Sequence, residues 1–378
     1  MNTLAPAAIP PRFDSVQCLS SAGLHRFAWT EWGARDNPRV AVCAHGLTRS
    51  GRDFDVLARA LAPDFRVVCP DIAGRGRSGW LANAKDYSIP QYVSDCITLI
   101  ARLGARQVDW VGTSMGGLIG MALAALPATA RSRAATIESD IESGAENIKS
   151  ANIESEADNI ESGAANIESE NIESGAANTM FANPIRRLVL NDIGPVLEAE
   201  AVGRIAGYVG QAYRFSSFEQ GVRHLKIVHL PFGPHSEEEW RALGRSVLVP
   251  DGSGWTLHYD PRIGEAFRAQ PVAAEPRSPV QQGPVQQSPE QESPWTSYDR
   301  ISCPTLAIRG AESDLISAAT HREMAARGPR AELATLPGIG HAPTLMHADQ
   351  VELVRRFLLA DRPGQARTAA RGAWASPR

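Results

Sequence analysis

The chain has 378 residues, of which 43% are hydrophobic and 21% are charged, and its formal net charge is −4. This balance is typical of a globular protein with a substantial core. The negative charge and the lack of a basic stripe disfavour nucleic acid as a partner. The 5 cysteines are scattered without CxxC spacing, which argues against a disulfide framework and against a zinc site.

We expect no targeting signal in this chain. The first residues lack a basic segment followed by an apolar one, so we expect no signal peptide. The longest apolar stretch, residues 115–127, is too short and too rich in glycine to cross a bilayer. We therefore expect a cytoplasmic protein without stable membrane insertion, and the sequence leaves its oligomeric state open.

Short apolar runs alternate with helical patterns along the chain. The predicted strands are residues 39–44, 65–69, 107–111, 187–190, 305–308 and 331–336. The predicted helices among them are residues 54–61, 89–103, 118–126 and 351–359. This alternation predicts an α/β fold, in which a mostly parallel central sheet is flanked by helices on both faces.

A different pattern occupies the middle of the chain. Helical periodicity covers residues 201–215, 218–228 and 237–248, with no strong strand. We predict a helical cap at residues 196–268. The core that carries it is predicted to combine residues 1–129, 181–195 and 298–362.

Three segments have the composition of flexible chain. Residues 130–180 repeat Asn-Ile-Glu-Ser four times, and one isoleucine per repeat cannot form a coiled-coil seam. We predict that this insertion is disordered, because it buries too little apolar surface to offset the entropy of ordering. Residues 271–297, rich in proline and glutamine, are predicted to be a flexible insertion, and residues 363–378 a flexible tail.

The repeat insertion gives a first testable prediction. It falls between a predicted helix and a predicted strand, and such loops lie at the edge of a parallel sheet opposite the usual ligand site. The entropy of closing a longer loop also grows only logarithmically. We expect deletion of residues 132–179 to leave the folded core and its ligand site largely intact. Loss of soluble, folded protein on that deletion would contradict this expectation.

The strongest chemical signal is a G-x-S-x-G motif around Ser114. An apolar strand precedes it and a helix follows it, so Ser114 stands at a sharp strand-to-helix turn that Gly112 and Gly116 make sterically possible. The helix N-terminus favours negative charge developing at the serine. We predict that Ser114 is a nucleophile. The alternative is a glycine-rich helix start in which Ser114 is only the N-cap.

A serine nucleophile needs a base, and the base needs a carboxylate to orient it. Among the 9 histidines, His341 follows the last predicted strand in a glycine-rich loop. Asp314 follows the strand at 305–308 and gives the chain order Ser–Asp–His, so we predict it as the orienting residue. Asp192, directly after the strand at 187–190, is its rival, and Glu312 is a nearer competitor in sequence.

The oxyanion of an acyl-transfer intermediate needs two backbone N–H donors. We assign one to Met115, the residue after the nucleophile. The other is assigned to Leu47, in the loop that begins with His45 and Gly46 after the first predicted strand, where Gly46 would permit close backbone approach. The alternative for His45 and Gly46 is a turn that only ends the strand.

These motifs together resemble the α/β-hydrolase superfamily. The resemblance covers most of the chain outside the insertions and the two ends, and rests on five segments in order: 45–46 (HG), 71–78 (DIAGRGRS), 112–117 (GTSMGG), 309–314 (RGAESD) and 340–341 (GH). It implies Ser114, Asp314 and His341 as a catalytic triad, and a lid at about residues 196–268. It does not specify a substrate.

The function expected from these residues is hydrolysis of a small or medium carboxylic ester through an acyl-enzyme on Ser114. The chemistry requires no metal and no cofactor, and the partner is a small ester-like molecule. Three alternatives stay open: hydrolysis of a C–C bond in a ring-cleavage product, acyl transfer to another acceptor, and a non-enzymatic protein that senses a ligand. A scaffolding role for the repeat insertion rests on composition alone.

Overall fold

The computed structural model of the protein describes residues 10–126, 183–269 and 293–360. The predicted insertion at residues 130–180 and the predicted tail at residues 363–378 lie outside the described residues, as does most of the insertion predicted at 271–297. The end of that last segment belongs instead to a short helix, Trp295–Asp299.

The sheet begins with an antiparallel hairpin that we did not predict. Its strands are β1 (Arg12–Ser20) and β2 (Gly23–Trp32), and β2 continues the sheet by pairing antiparallel with β4 (Arg66–Asp71). In β1 only Cys18 is buried. A strand with so little buried surface carries neither an apolar run nor a regular alternation, which explains why its pattern was missed.

The other strands of the main sheet are parallel and confirm the six predicted ones. With β4, they are β3 (Val40–Ala44), β5 (Val108–Thr113), β6 (Ile185–Asn191), β10 (Thr305–Gly310) and β11 (Glu332–Leu336). The order across the eight-stranded sheet is β1-β2-β4-β3-β5-β6-β10-β11. Strand β5 is therefore central, and β6 lies directly beside it.

Helices cover both faces of this sheet, as predicted. Helices Asp55–Leu61 and Ala348–Leu359 pack on one face, against side chains such as Val111. Helices Ile89–Arg102 and Met115–Ala124 pack on the other face. Because successive strand residues point to opposite faces, each buried parallel strand is apolar almost without interruption. The α/β fold class is confirmed.

The segment between β6 and the second gap, which we call the cap, is not purely helical. Its helices are Ala199–Tyr208, Phe218–Val228, Glu237–Val247 and Ile263–Ala269. A small antiparallel sheet joins them, formed by β7 (Arg214–Phe215), β8 (Leu248–Asp251) and β9 (Gly254–Leu257). The helical pattern did not reveal these strands, because strands of two to four residues are too short to show a period of their own.

The first cap helix also ends earlier than predicted. It stops at Tyr208, whereas the pattern predicted continuation to residue 215. Gly210, at φ +84°, turns the chain out of the helix. Within the described residues, no helix is both long enough and apolar enough to cross a membrane.

Candidate active site

Ser114 occupies a strained turn between β5 and the helix Met115–Ala124. Its backbone has φ 52° and ψ −118°, a conformation that residues with a side chain rarely adopt. A Cβ atom on Gly112 would lie 2.3 Å from the Gly116 carbonyl oxygen, and one on Gly116 would lie 2.0 Å from the Ala44 carbonyl oxygen. Both glycines are therefore needed for the turn to close, in agreement with the predicted crowding. Ser114 lines the cavity at this edge of the sheet.

His341 connects Ser114 to a carboxylate. Its Nε2 atom lies 2.9 Å from Ser114 Oγ, and its Nδ1 atom lies 2.7 Å from Asp192 Oδ2. The imidazole can thus accept the serine proton through Nε2 while Nδ1–H donates to the carboxylate. The three side chains come from loops after β5, β6 and β11, whose carboxyl ends share one edge of the sheet. The structure brings Ser114 and His341 together as predicted.

Hydrogen bonds from neighbouring groups hold the Asp192 carboxylate in place. It follows β6 directly with φ 53° and its side chain is fully buried. The Gly310 backbone N–H donates to its Oδ1 at 2.8 Å, and the Ser313 hydroxyl donates to its Oδ2 at 2.6 Å. A buried carboxylate with these donors is fixed in orientation toward His341.

The assignment of Asp314 as the orienting residue was wrong. Its carboxylate is 48% exposed and forms a bidentate ion pair with Arg204 of the cap, with a shortest contact of 2.7 Å. The inward position of this loop belongs to Ser313, because Arg309 donates to the Ser313 carbonyl at 2.9 Å and fixes the path of the chain. Glu312 is also exposed. Motif order favoured Asp314, whereas the adjacency of β6 to β5 favours Asp192.

Leu47 and Met115 face the same cavity as Ser114 and His341. Within the part of the chain that the structure describes, neither backbone N–H donates a hydrogen bond to another group. Met115 is the first residue of its helix, so its N–H has no intrahelical acceptor. Two free donors beside a serine hydroxyl are the arrangement that stabilises an oxyanion.

His45 fixes the peptide unit that carries the Leu47 N–H. Its ring is fully buried, its Nε2 accepts from the Ile72 backbone N–H at 2.9 Å, and its Nδ1 donates to the Gly46 carbonyl at 2.7 Å. The Gly46 carbonyl and the Leu47 N–H belong to one planar peptide and point in opposite directions. His45 is thus more than a strand-ending turn, since holding that carbonyl also aims the N–H.

The role predicted for Gly46 needs a correction. A Cβ atom there would lie 3.7 Å from Ser114 Cβ, which is an ordinary contact. Backbone crowding therefore does not require glycine at this position. Gly46 lines the cavity beside Ser114, so a larger side chain would fill space next to the nucleophile.

The buried state of His45 predicts acid sensitivity of the fold. Burial lowers the pKa of His45 from 6.5 to about 3, so the folded protein keeps the ring neutral where the unfolded chain protonates it. The resulting stabilisation is complete above the unfolded pKa and is lost as the pH falls toward the folded pKa. Between pH 7 and pH 5, the free energy of unfolding should therefore fall by about 2 kcal/mol on this account.

Urea denaturation of wild type and of His45→Gln at both pH values measures this effect. We expect the variant to lose that part of the pH dependence. His347→Gln, which changes a histidine whose side chain is 29% exposed, serves as the control. Identical pH dependence in wild type and His45→Gln would show that His45 does not carry the effect.

Arg75 is a functional candidate that we did not single out from the sequence. It is fully buried, and its guanidinium donates to the Leu47 carbonyl at 2.9 Å and lies 3.6 Å from Met115 Sδ. Its other donors bind the Ala73 carbonyl and the Tyr92 hydroxyl. This cation therefore contacts both residues that carry the free N–H donors. An arginine enclosed by glycines in the segment 71–78 was the available signal.

The cavity over Ser114 is lined by both the sheet edge and the cap. Most of its walls are apolar side chains: Leu118, Ile193, Leu197, Val202, Ile205, Val228, Phe232, Ile263, Phe267 and Leu315. An apolar cavity with a few polar groups is typical of a small-molecule site. Apolar walls lower the local dielectric constant, which strengthens electrostatic interactions at Ser114.

One buried cluster among the described residues has side chains of the kinds that bind metals. It consists of Cys18, His25 and Asp95, whose candidate ligand atoms all lie within 4.8 Å of one another. His25 Nε2 is 3.1 Å from Asp95 Oδ2, and burial raises the pKa of the Cys18 thiol to about 12. The thiol is therefore protonated at neutral pH, which opposes metal binding. None of the three lines the cavity over Ser114.

Comparison with known proteins gives the family and the fold that this chain resembles. The model of a family described as "Alpha/beta hydrolase family" matches residues 41–356. A 3-hydroxybutyrate-oligomer hydrolase from Cupriavidus necator is 42% identical over 351 residues, which cover 92% of this chain and 97% of that protein.

Solved structures share the fold over almost the whole described chain. An alpha/beta hydrolase from Novosphingobium aromaticivorans is 30% identical with a TM-score of 0.65, covering 92% of this chain and 98% of that one. A protein from Rickettsia typhi has a TM-score of 0.68 at 22% identity, covering 93% of this chain and 99% of that one. The second likeness is one of fold alone.

Proposed function

Because this chain belongs to the alpha/beta hydrolase family and is a hydrolase of esters, we propose that it uses Ser114, His341 and Asp192 to cleave esters of hydroxylated carboxylic acids. The observation that carries the proposal is the continuous hydrogen-bonded chain from Ser114 Oγ through His341 to Asp192, at 2.9 Å and 2.7 Å. The relative from Cupriavidus necator suggests short 3-hydroxybutyrate oligomers as the substrate.

The reaction follows from the placement of these groups. Ser114 Oγ attacks the ester carbonyl while His341 Nε2 takes its proton, and Asp192 holds the imidazole in the required tautomer. The N–H groups of Leu47 and Met115 hold the oxyanion of the tetrahedral intermediate. His341 then returns the proton to the leaving alcohol, and an acyl group remains on Ser114. Water, deprotonated by His341, attacks that acyl group and releases the acid.

The cation Arg75 has a distinct place in this mechanism. It lies behind Leu47 and Met115 and contacts no carboxylate among the described residues. A buried positive charge near the two donors favours negative charge on the oxyanion. Arg75 is therefore a positioning residue that acts through the oxyanion loop.

Charge at the cavity supports an anionic substrate. Arg204 lines the cavity, is 41% exposed, and already binds one carboxylate, that of Asp314. A guanidinium suits bidentate binding of carboxylates. The free carboxylate of a 3-hydroxybutyrate oligomer can take the place of Asp314 without a buried ion pair being broken.

The test is turnover of defined oligomers. The 3-hydroxybutyrate dimer and trimer are incubated with the purified full chain, and released 3-hydroxybutyrate is measured. We expect monomer release by wild type and none above background by Ser114→Ala. Failure to cleave these oligomers, combined with turnover of a vinylogous diketone, would favour the C–C hydrolase alternative over an esterase.

Two finer expectations are kept as proposals. The net charge of −4 continues to disfavour a nucleic acid partner. A cytoplasmic location stays a prediction from the sequence.

A further inference from the structure

Most polar side chains of the catalytic cavity are already bound to protein partners. The Tyr87 hydroxyl donates to Asp260 at 2.6 Å, and the Tyr92 hydroxyl accepts from Arg75 at 2.9 Å. The Arg49 guanidinium is paired with Asp53, with a shortest contact of 2.6 Å. These groups shape the cavity but have little remaining capacity to bind a polar substrate group.

Three polar side chains of the same cavity are different. The hydroxyls of Thr48 and Tyr208 and the imidazole of His229 form no hydrogen bond with any residue that the structure describes. His229 only stacks on Phe232, with ring centroids 4.6 Å apart. All three side chains are half-buried and line the cavity, so their polar atoms are available to a polar group of a bound molecule.

The three side chains lie where this cavity adjoins a second one. A smaller cavity adjoins it under the cap, with Tyr213 and His224 in its wall. Thr48, Tyr208 and His229 line both cavities, so they lie at the boundary between them. Thr48 also follows Leu47 directly, which places this boundary next to the oxyanion loop.

The three side chains are uncharged at neutral pH, and Arg49, which also lines both cavities, is paired with Asp53. Burial, together with the neighbouring Arg49, lowers the pKa of His229 well below 6.5, so the ring is neutral at neutral pH. Burial raises the pKa of Tyr208 to about 12, so its hydroxyl is also neutral. The set therefore offers both donors and acceptors without net charge. A neutral group that both donates and accepts, such as an alcohol, suits it better than a carboxylate.

We infer that Thr48, Tyr208 and His229 form a subsite that binds the free hydroxyl of a hydroxyacyl ester. This inference rests on the proposed function, since it places the hydroxylated acyl chain on the Ser114 side of the scissile bond. The hydroxyl end of the oligomer then enters the cavity and its carboxylate end faces Arg204. The enzyme would cleave at the hydroxyl end and distinguish hydroxylated from plain acyl chains.

Two matched esters test this subsite directly. The p-nitrophenyl esters of 3-hydroxybutyrate and of butyrate share a leaving group and differ by one hydroxyl. With wild type, we expect kcat/KM to be at least about 100-fold higher for the hydroxylated ester. The butyrate ester lacks the hydroxyl, so it leaves the polar side chains of the subsite without a partner. Thr48→Val and Tyr208→Phe remove one hydroxyl each at nearly constant shape, and each should reduce that ratio by about tenfold.

Hydrolysis of the butyrate ester shows whether each variant is folded and active. Thr48→Val and Tyr208→Phe should hydrolyse the butyrate ester within about threefold of wild type, because the reacting groups are unchanged. His229→Leu should abolish most of the preference for the hydroxylated ester. Tyr213→Phe, which changes the smaller cavity alone, is the control and should keep the wild-type ratio. An unchanged ratio in all three subsite variants, with both esters still cleaved, would overturn the subsite and leave the esterase standing. Cleavage of neither ester by wild type would overturn the proposed function and this inference with it.

Discussion

Replacing Ser114 by Ala is expected to lower kcat for any ester substrate by about 10⁶-fold. The hydroxyl is the group that becomes acylated, and Ala offers no substitute. Residual turnover should come only from the oxyanion donors and from binding in the cavity. Steady-state hydrolysis of an activated short-chain ester measures the loss.

The fold should survive this substitution. Ala is smaller than Ser, and the Ser114 side chain makes no capping hydrogen bond to its helix. Ser21→Ala, which changes an exposed serine bound to Asp86, is a matched control and should retain full activity. Turnover by Ser114→Ala near the wild-type rate, with background hydrolysis subtracted, would remove Ser114 from its proposed role.

Replacing Asp192 by Asn is expected to lower kcat by about 10⁴-fold with little change in KM. The amide keeps the shape of the carboxylate, but it no longer favours the His341 tautomer with hydrogen on Nδ1. It also cannot stabilise the imidazolium that forms when the serine proton is transferred. The kcat and KM of the two proteins on one ester, at equal folded concentration, measure the effect.

Asp314→Asn is the matched control for this substitution. It makes the same chemical change in the carboxylate that motif order had favoured. Because Asp314 is 48% exposed and pairs with Arg204, we expect kcat to stay within about threefold of wild type. A severe loss in Asp314→Asn together with high activity in Asp192→Asn would reverse the assignment.

Two residues of the candidate site, Ser114 and His341, could be placed from the sequence alone. The position of Ser114 at a sharp turn could be predicted because that turn needs glycines at fixed positions beside the serine. His341 could be predicted because it stands in a loop directly after a recognisable strand. Both signals lie within a few residues of the functional side chain.

The choice between Asp192 and Asp314 could not be made in this way. It depends on the order of strands in the sheet and on which residue of the loop after β10 points inward. Strand order places β6 next to β5, and Ser313 takes the inward position that Asp314 would need. Strand order and the direction of a loop residue depend on contacts between distant segments, and the residue spacing within one segment does not predict them.

The cap shows a similar limit for a different reason. Its helices could be predicted because each has an apolar stripe of helical period, whereas its three strands are too short to show one. The proposed polar subsite was even harder to predict from the sequence. Thr48 and His229 come from the loop after β3 and from the cap, and only the cavity that both line shows that they belong to one site.

The most direct test of the Ser114–His341–Asp192 assignment is covalent labelling by a fluorophosphonate, which reacts with activated serines irrespective of the natural substrate. After labelling, intact mass and peptide mapping count and locate the adduct. We predict one adduct per chain, on Ser114, formed rapidly in wild type and Asp314→Asn, slowly in Asp192→Asn, and not in Ser114→Ala. An adduct on another residue, or labelling of Asp192→Asn at the wild-type rate, would contradict the account.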